Sequence, residues 1–298
     1  MSSICGFSFG KDLVKLDYPV VEAVRSVLPI CDRFVFVVGR CDDGTRDLVA
    51  SIDDRVEIID SDWPDVKIDG TVLSIEATKA LQAAEATECD FGFYIQADEV
   101  VHEDDLPIVK ASCERYAEDQ QVKALLFRYL HFVLDYQTTD PWMYHKASRI
   151  VRLDGSCRIF GDACGPGLID PPPQVLTKND GYLDKKHLGS YVQWAGDGGR
   201  EARIFHYGWV KTREQLETKF DMVRNLWWGT LPPEEVKRRE SNKFGRFIDR
   251  YPLLKNFKGT HPAVMTDRIA GHPPYRAKRN RWLNPRFYTE VLRHGFHG

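Results

Sequence analysis

The sequence has no long apolar run. Its most hydrophobic stretches, such as Phe34 to Val38, are as long as a strand and fall far short of the roughly 20 residues that cross a bilayer. Its seven cysteines, at 5, 31, 41, 89, 113, 157 and 164, contain no CxxC pair and are odd in number. That pattern argues against a disulfide framework and for free thiols in a reducing cytoplasm. The opening Met1 to Gly6 lacks the charged-then-apolar pattern of a secretory leader. Internal repeats, low-complexity segments and targeting motifs are also missing. A cytoplasmic location is therefore expected, with membrane contact that is at most peripheral.

What is present fits an ordinary globular chain. The 298 residues are 43% hydrophobic and 29% charged, enough for a sizeable buried core. The net charge of −3 is unevenly spread. From Ser241 onward there are twelve Lys and Arg against three Asp and Glu, a surplus of nine positive charges, so the first 240 residues hold a deficit of twelve. Either the two ends face different partners, or the basic tail folds back on an acidic body.

The first 120 residues alternate between two periods. Strand-like runs cover Ile4 to Phe9, Arg33 to Val38, Val56 to Asp60 and Phe91 to Gln96. Helical spacing covers Tyr18 to Leu28, Thr45 to Ile52, Val72 to Thr87 and Glu103 to Glu118. This βαβαβαβα order predicts an α/β fold with a mostly parallel central sheet and helices on both faces. In such sheets ligands bind beyond the carboxyl ends of the strands. Further on, Val122 to Val133 and Ser148 to Leu153 read as strands, and Gly161 to Pro173, rich in Gly and Pro, as irregular. Arg213 to Trp228 reads as a helix, and Pro232-Pro233 opens another. The expected organisation is an α/β nucleotide-binding part over 1–125, an acceptor-binding part over 126–212 and a helical, basic extension over 213–298.

Two acidic motifs stand at strand ends. Cys41-Asp42-Asp43-Gly44-Thr45-Arg46-Asp47 joins a strand to a helix. Its carboxylates suit a base or ribose, and equally an ordinary turn and helix cap. In Phe93-Tyr94-Ile95-Gln96-Ala97-Asp98-Glu99 an apolar strand runs into two adjacent acids. A carboxylate there can hold Mg²⁺ or Mn²⁺ against a diphosphate and so neutralise charge on a departing nucleotide. The bland alternative is a loop cap.

The stretch Asp42 to Asp47 resembles the DDGSTD of family 2 glycosyltransferases, and Gln96-Ala97-Asp98-Glu99 resembles their DADE form of the DxD motif. Glu76 to Leu81, Trp142 with Arg149 to Arg152, and His206-Tyr207-Gly208-Trp209-Val210 extend the resemblance over roughly residues 1 to 215. It implies a GT-A fold, a nucleotide-diphosphate-sugar donor with UDP favoured, inverting transfer to a glycan, lipid-linked or other hydroxyl acceptor, and usually a divalent metal, Mn²⁺ or Mg²⁺. Carried over by position, Asp42 or Asp43 meets the base, Gln96 the ribose and Asp98 the metal. Ser8, Thr78, Ala97 and Lys211 complete the expected donor site, and His206 is a second metal ligand or phosphate contact. Gln96 departs from the acid usually found there and cannot add negative charge to a metal site. Asp162, in Phe160-Gly161-Asp162-Ala163, is the expected catalytic base, with Asp135 and Asp140 as weaker choices. Trp142, Tyr144 and Trp194 can stack on sugars or simply pack in the core.

Two rivals remain. A sugar nucleotidyltransferase calls for a Gly-rich loop after the first strand, where this chain has Ser8-Phe9-Gly10-Lys11-Asp12 with a single glycine. A non-catalytic relative that binds a nucleotide-sugar or glycan is consistent with Gln96. In the tail, Arg276, Lys278, Arg279, Arg281 and Arg286 lie among Tyr275, Trp282 and Phe287. No recognition motif accompanies them, so nucleic acid is not expected, whereas an anionic membrane surface is a possible contact.

Overall fold

The computed structural model describes residues 2–170, 183, 187–243, 253–272 and 281–295, with side chains of 239–243 left aside. The sequence-level expectations at Pro171 to Pro173, Tyr275, Arg276, Lys278 and Arg279 lie outside the described residues.

Strands β1 (Ile4–Gly10), β2 (Arg33–Gly39), β3 (Val56–Ser61) and β4 (Phe91–Tyr94) form a parallel block in the order β3-β2-β1-β4. β1 is buried along its whole length, which explains its continuous apolar run. Alternate residues serve opposite faces. Ile4, Phe34 and Phe36 pack with α1 (Val20–Val27) and with α4 (Leu106–Arg115). Cys5, Phe7, Val35 and Val37 pack against Ala77, Ala80, Leu81 and Ala84 of α3 (Thr71–Glu85). Helices thus cover both faces, as the alternation implies. The short helix α2 (Thr45–Ala50) follows β2.

Beyond β4 the sheet becomes mixed. β8 (Lys146–Arg152) lies antiparallel to β4 and to β6 (Ala124–Val133). β12 (Arg203–Trp209) runs parallel to β6 and antiparallel to β5 (Glu99–Val101). β11 (Val192–Trp194) and β7 (Thr138–Thr139) also pair with β6. Two expectations are corrected. The strand read as Phe91 to Gln96 stops at Tyr94, because Gln96 to Glu99 closes a turn in which the Glu99 N–H donates to Gln96 O at 3.0 Å. The segment from Gly161, read as irregular, contains β10 (Gly165–Leu168), paired antiparallel with β9 (Cys157–Phe160). A two-stranded ribbon leaves one edge of each strand unpaired, so Pro166 can be accommodated there.

After β12 come α5 (Arg213–Trp228) and α6 (Pro233–Lys243). α5 starts with a capping box between Thr212 and Gln215. Its far end docks on the start of α3: the Gly70 N–H donates to Leu226 O at 3.2 Å and the Asp69 N–H to Trp227 O at 3.1 Å. Gly70 has φ 68°, and a Cβ there would lie 2.6 Å from the Trp227 ring, so this contact requires glycine.

The tail folds back on the body, one of the two arrangements its charge allows. β13 (Lys255–Asn256) pairs with β7. Phe257 packs on Phe132 and Phe205. Arg268, in α7 (Thr266–Gly271), binds Asp17 and Glu22, each at 2.8 Å. The last helix is α8 (Pro285–His294). Among the described residues no helix is long and apolar enough to cross a membrane.

One buried ion pair joins the two halves of the sheet. Arg149 of β8 donates through Nε and Nη2 to both oxygens of Glu99, each at 2.7 Å. The Tyr129 hydroxyl of β6 donates to Glu99 Oε1 at 2.6 Å. Arg149 Nη1 also reaches the carbonyls of Ser148 and Cys164 at 2.9 and 2.8 Å. Both side chains are essentially inaccessible. Removing one partner strands a buried charge. Arg149→Met is therefore expected to lower stability by about 3–5 kcal/mol in urea unfolding, and a loss below about 1 kcal/mol would contradict this role.

Candidate active site

A cavity of about 460 Å³ opens at the carboxyl ends of β1 and β4. Gln96, Ala97, Asp98, Asp162 and His206 all line it, although they are spread over more than a hundred positions of the chain. The loop after β1 supplies Lys11, Asp12, Leu13 and Leu16, and α5 supplies Lys219, Met222, Val223 and Trp227.

Asp98 is 9% exposed. Its Oδ2 lies 3.5 Å from His206 Nε2 and 3.9 Å from Lys219 Nζ. The pairing of Glu99 with His206 across β5 and β12, with the Tyr207 N–H donating to Asp98 O at 2.8 Å, sets this approach. Burial pushes the Asp98 carboxyl up, but His206, then Lys219 and Lys211, outweigh it and hold it well below the usual carboxylate range. Gly208 makes room for the carboxylate: a Cβ at 208 would lie 2.2 Å from Asp98 Oδ2.

The histidine tautomers follow from their partners. His131 Nε2 lies 2.8 Å from the Tyr144 carbonyl oxygen, which only accepts, so Nε2 carries the proton. Burial, and then the charge of His206, push the His131 pKa well below its usual value. The neutral ring therefore has a lone pair on Nδ1, and His206 Nδ1, 3.2 Å away, is the donor. A neutral His206 then turns a bare Nε2 toward the Asp98 carboxylate. Two acceptors placed this way are reconciled by a proton on His206 or by a cation bound to both. The pair thus fits a divalent ion, with a nitrogen and an oxygen ligand and a second-sphere partner fixing the imidazole.

Gln96 is not part of that ligand set. Its Nε2 donates to Ala163 O at 2.7 Å and to the Tyr94 hydroxyl at 3.0 Å, and that hydroxyl donates to Ala163 O at 2.9 Å. A carboxylate has no proton to offer this carbonyl, which accounts for an amide at the position. The same bonds fix the loop carrying Asp162. Gly161 and Ala163 on either side of it have φ 65° and 64°, and the Cys164 thiol donates to Asp162 Oδ1.

Apart from Tyr144, the remaining sequence-derived residues do not line the cavity. Ser8 is buried within β1, its hydroxyl without a hydrogen-bond partner among the described residues. Asp42 is exposed. Asp43 accepts from the Lys15 N–H at 2.9 Å and the Thr45 N–H at 3.1 Å, and Thr45 Oγ1 accepts from the Leu13 N–H at 2.9 Å. This motif braces the loop that lines the cavity. Thr78 ties α3 to β9 by bonding both backbone groups of Ile159. Lys211 Nζ is held by the Leu16 and Asp17 carbonyls at 2.5 and 3.1 Å. Asp135 and Asp140 close local turns onto Gln137 N and Trp142 N. Tyr144 lines the cavity beside His131, while Trp194 stacks on Arg128 and Trp142 packs near Phe287.

Sequence reasoning missed Lys219. It sits on the apolar stripe of α5, with Leu216 three residues before it and Met222 and Val223 three and four after. A lysine on such a stripe is itself a usable signal. Burial lowers its pKa to about 8, with Asp98 opposing, and lowers that of Lys211 to about 7.

No protein-family model matches the chain, and neither does any curated protein. Among solved structures it is similar to TarS of S. aureus, at 11% identity and a TM-score of 0.35 over 51% of this chain and 28% of that chain. A structure of TarS 1-349 with UDP is 13% identical, with a TM-score of 0.34 over 51% and 47%. Glucosyl-3-phosphoglycerate synthase of Mycobacterium tuberculosis, solved with Mn²⁺, UDP and phosphoglyceric acid, is 12% identical, with a TM-score of 0.39 over 76% of each chain. The chain thus spans less than a third of TarS and about three quarters of the synthase. Likeness this distant leaves function to the geometry of the cavity itself.

Two outcomes test this geometry. Gly208→Ala is expected to cost about 1–3 kcal/mol and, in a crystal structure, to rotate Asp98 away from His206; an unmoved carboxylate would contradict the packing. Burial raises the Asp43 carboxyl, but the amides of Lys15 and Thr45 win and bring it down to about 2. With its folded pKa below its unfolded one, its contribution is complete above the unfolded value and fades as pH falls toward 2. Urea midpoints between pH 5 and 2 should therefore fall more steeply in the wild type than in Asp43→Ala.

Proposed function

We propose that this chain is a glycosyltransferase that moves a sugar from a nucleotide-diphosphate donor, UDP favoured, to an acceptor hydroxyl with inversion. One observation carries the reading: Asp98, His206, Lys219 and Asp162 face one cavity at the carboxyl ends of parallel strands. Asp98 and Lys219 lie 3.9 Å apart, and Asp162 comes from a separate loop of the same lining. Transfer from a donor to a hydroxyl acceptor needs both a charged wall and a base.

In the proposed reaction Asp162 accepts the proton of the acceptor hydroxyl as the new glycosidic bond forms. The bond from the anomeric carbon to the diphosphate breaks on the opposite side, and its electron pair leaves with the phosphate. Asp98 and His206 would hold Mn²⁺ or Mg²⁺, which supplies charge neutralisation at the diphosphate when bound. Asp43 acts through the loop it braces, and Ser8 and Thr78 through the strand and helix that shape the site. Lys211 holds the same loop from the other side. Asp42 remains as a proposed contact to the base from the rim. The acceptor class stays broad: a glycan, a lipid-linked or another hydroxyl compound. Seven free thiols suit a reducing, cytoplasmic setting. Any membrane contact is proposed for the tail, where Trp282 and Leu283 are exposed beside Arg281 and Arg286.

A thermal-shift screen of nucleotides and nucleotide-sugars with and without Mn²⁺ tests the donor class. A rise in melting temperature with UDP or a UDP-sugar is expected, and no shift with any nucleotide sinks the proposal. Slow hydrolysis of the matching donor should disappear in Asp98→Ala. Asp162→Asn should keep donor binding and lose transfer by about 10²–10⁴-fold. Binding without turnover in the wild type would instead favour the non-catalytic relative.

A further inference from the structure

Lys219 has an unusual environment for a cation. It is 6% exposed, and its Nζ lies over the rings of Trp209 and Tyr18, 4.3 and 5.0 Å from their centroids. Nζ donates to Gly208 O at 2.7 Å. Asp98 Oδ2, at 3.9 Å, is beyond hydrogen-bond distance. Among the described residues an ammonium with three donors therefore makes one hydrogen bond, in a place where desolvation is costly. Its side chain lines the main cavity.

Lys219 also shares its nearby carboxylate with a second lysine. Lys219 and Lys211 both act on Asp98, the single carboxylate they share there, and Gln96 supplies no second one. An anion beside Nζ has oxygens that can take the remaining lysine protons. Tyr18, Trp63 and Trp227 line the same space, where an aromatic group can pack. An anion joined to an aromatic base is a nucleoside diphosphate. Beside Lys219, among the described residues, Asp98 and His206 bring one oxygen and one nitrogen to a shared point, a sparse protein ligand set for a hard cation.

We propose that Lys219 Nζ binds the diphosphate directly and stabilises its departing oxygen, so that nucleotide binding persists without a divalent ion. This rests on the glycosyl-transfer reading. As the bond between the anomeric carbon and the β-phosphate oxygen breaks, that oxygen keeps the electron pair and accepts a hydrogen bond from Nζ. No proton changes hands at Lys219.

Titration calorimetry with UDP, in EDTA and in Mn²⁺, tests this on wild type, Lys219→Met, Lys219→Gln and Lys219→Arg, with melting temperatures recorded for each. Wild type is expected to bind UDP in EDTA. Methionine and glutamine should weaken binding at least about tenfold in both buffers, and arginine should restore part of the loss. Asp98→Ala should remove the Mn²⁺ enhancement. Undiminished UDP binding by a folded Lys219→Met or Lys219→Gln in EDTA overturns the role of Lys219. So does complete loss of wild-type binding in EDTA with recovery in Mn²⁺. If wild type binds no nucleotide even with Mn²⁺, the glycosyl-transfer reading itself falls, and this inference with it.

Discussion

The Glu99–Arg149 pair is the constraint on which the site depends. Arg149 comes from β8, Glu99 opens β5, and Tyr129 reaches in from β6. The guanidinium also holds the Cys164 carbonyl, and so the loop of Asp162. Glu99 accepts from the Gln96 N–H as well, closing the turn that carries Asp98. One carboxylate thus orders both acidic elements of the cavity without itself lining it. A hydrophobic pair of similar volume can match its packing energy, but it would not orient the Tyr129 hydroxyl, the Gln96 amide and the Ser148 and Cys164 carbonyls.

Above that pair, burial and charge work against each other. Asp98 is driven up by desolvation and brought down by its basic neighbours, and the two lysines are lowered by the same burial. Each charge is tolerated because the others are present. The His131–His206 relay adds direction, since the carbonyl of Tyr144 decides which nitrogen His206 turns toward Asp98. An apolar cavity with a few ionic groups held at fixed separations suits a ligand that is itself part aromatic and part anionic.

Much of the first 120 residues was legible because strands covered on both faces read as unbroken apolar runs and the helices between them keep their own period. Asp98 stood out because a buried strand ends there in acid. Gln96 stood out as a departure, but its purpose did not, since its partner is a backbone carbonyl 67 residues away. The Asp42-Asp43 motif was visible, whereas its role as a brace was not: its partners are amides of the loop after β1, and an amide leaves no mark in a sequence. β10 was hidden by its own Gly and Pro, and β5 by its three-residue length. Lys219 lies within a helix, not at a strand end, and its mark in the sequence is a charge on the apolar side of that helix.

The docking of α5 on Gly70 has a consequence for how the molecule assembles. The roof of the cavity meets its floor across about 150 positions of chain, through two backbone hydrogen bonds and a tryptophan seated on a glycine. Contacts between such distant segments carry a large loop-closure cost and form late. The parallel block β3-β2-β1-β4 can collapse from neighbouring segments first, leaving the cavity as an open cleft until α5 closes over it. During refolding, recovery of secondary structure should precede recovery of ligand binding, with the indole of Trp227 reporting the interval between them.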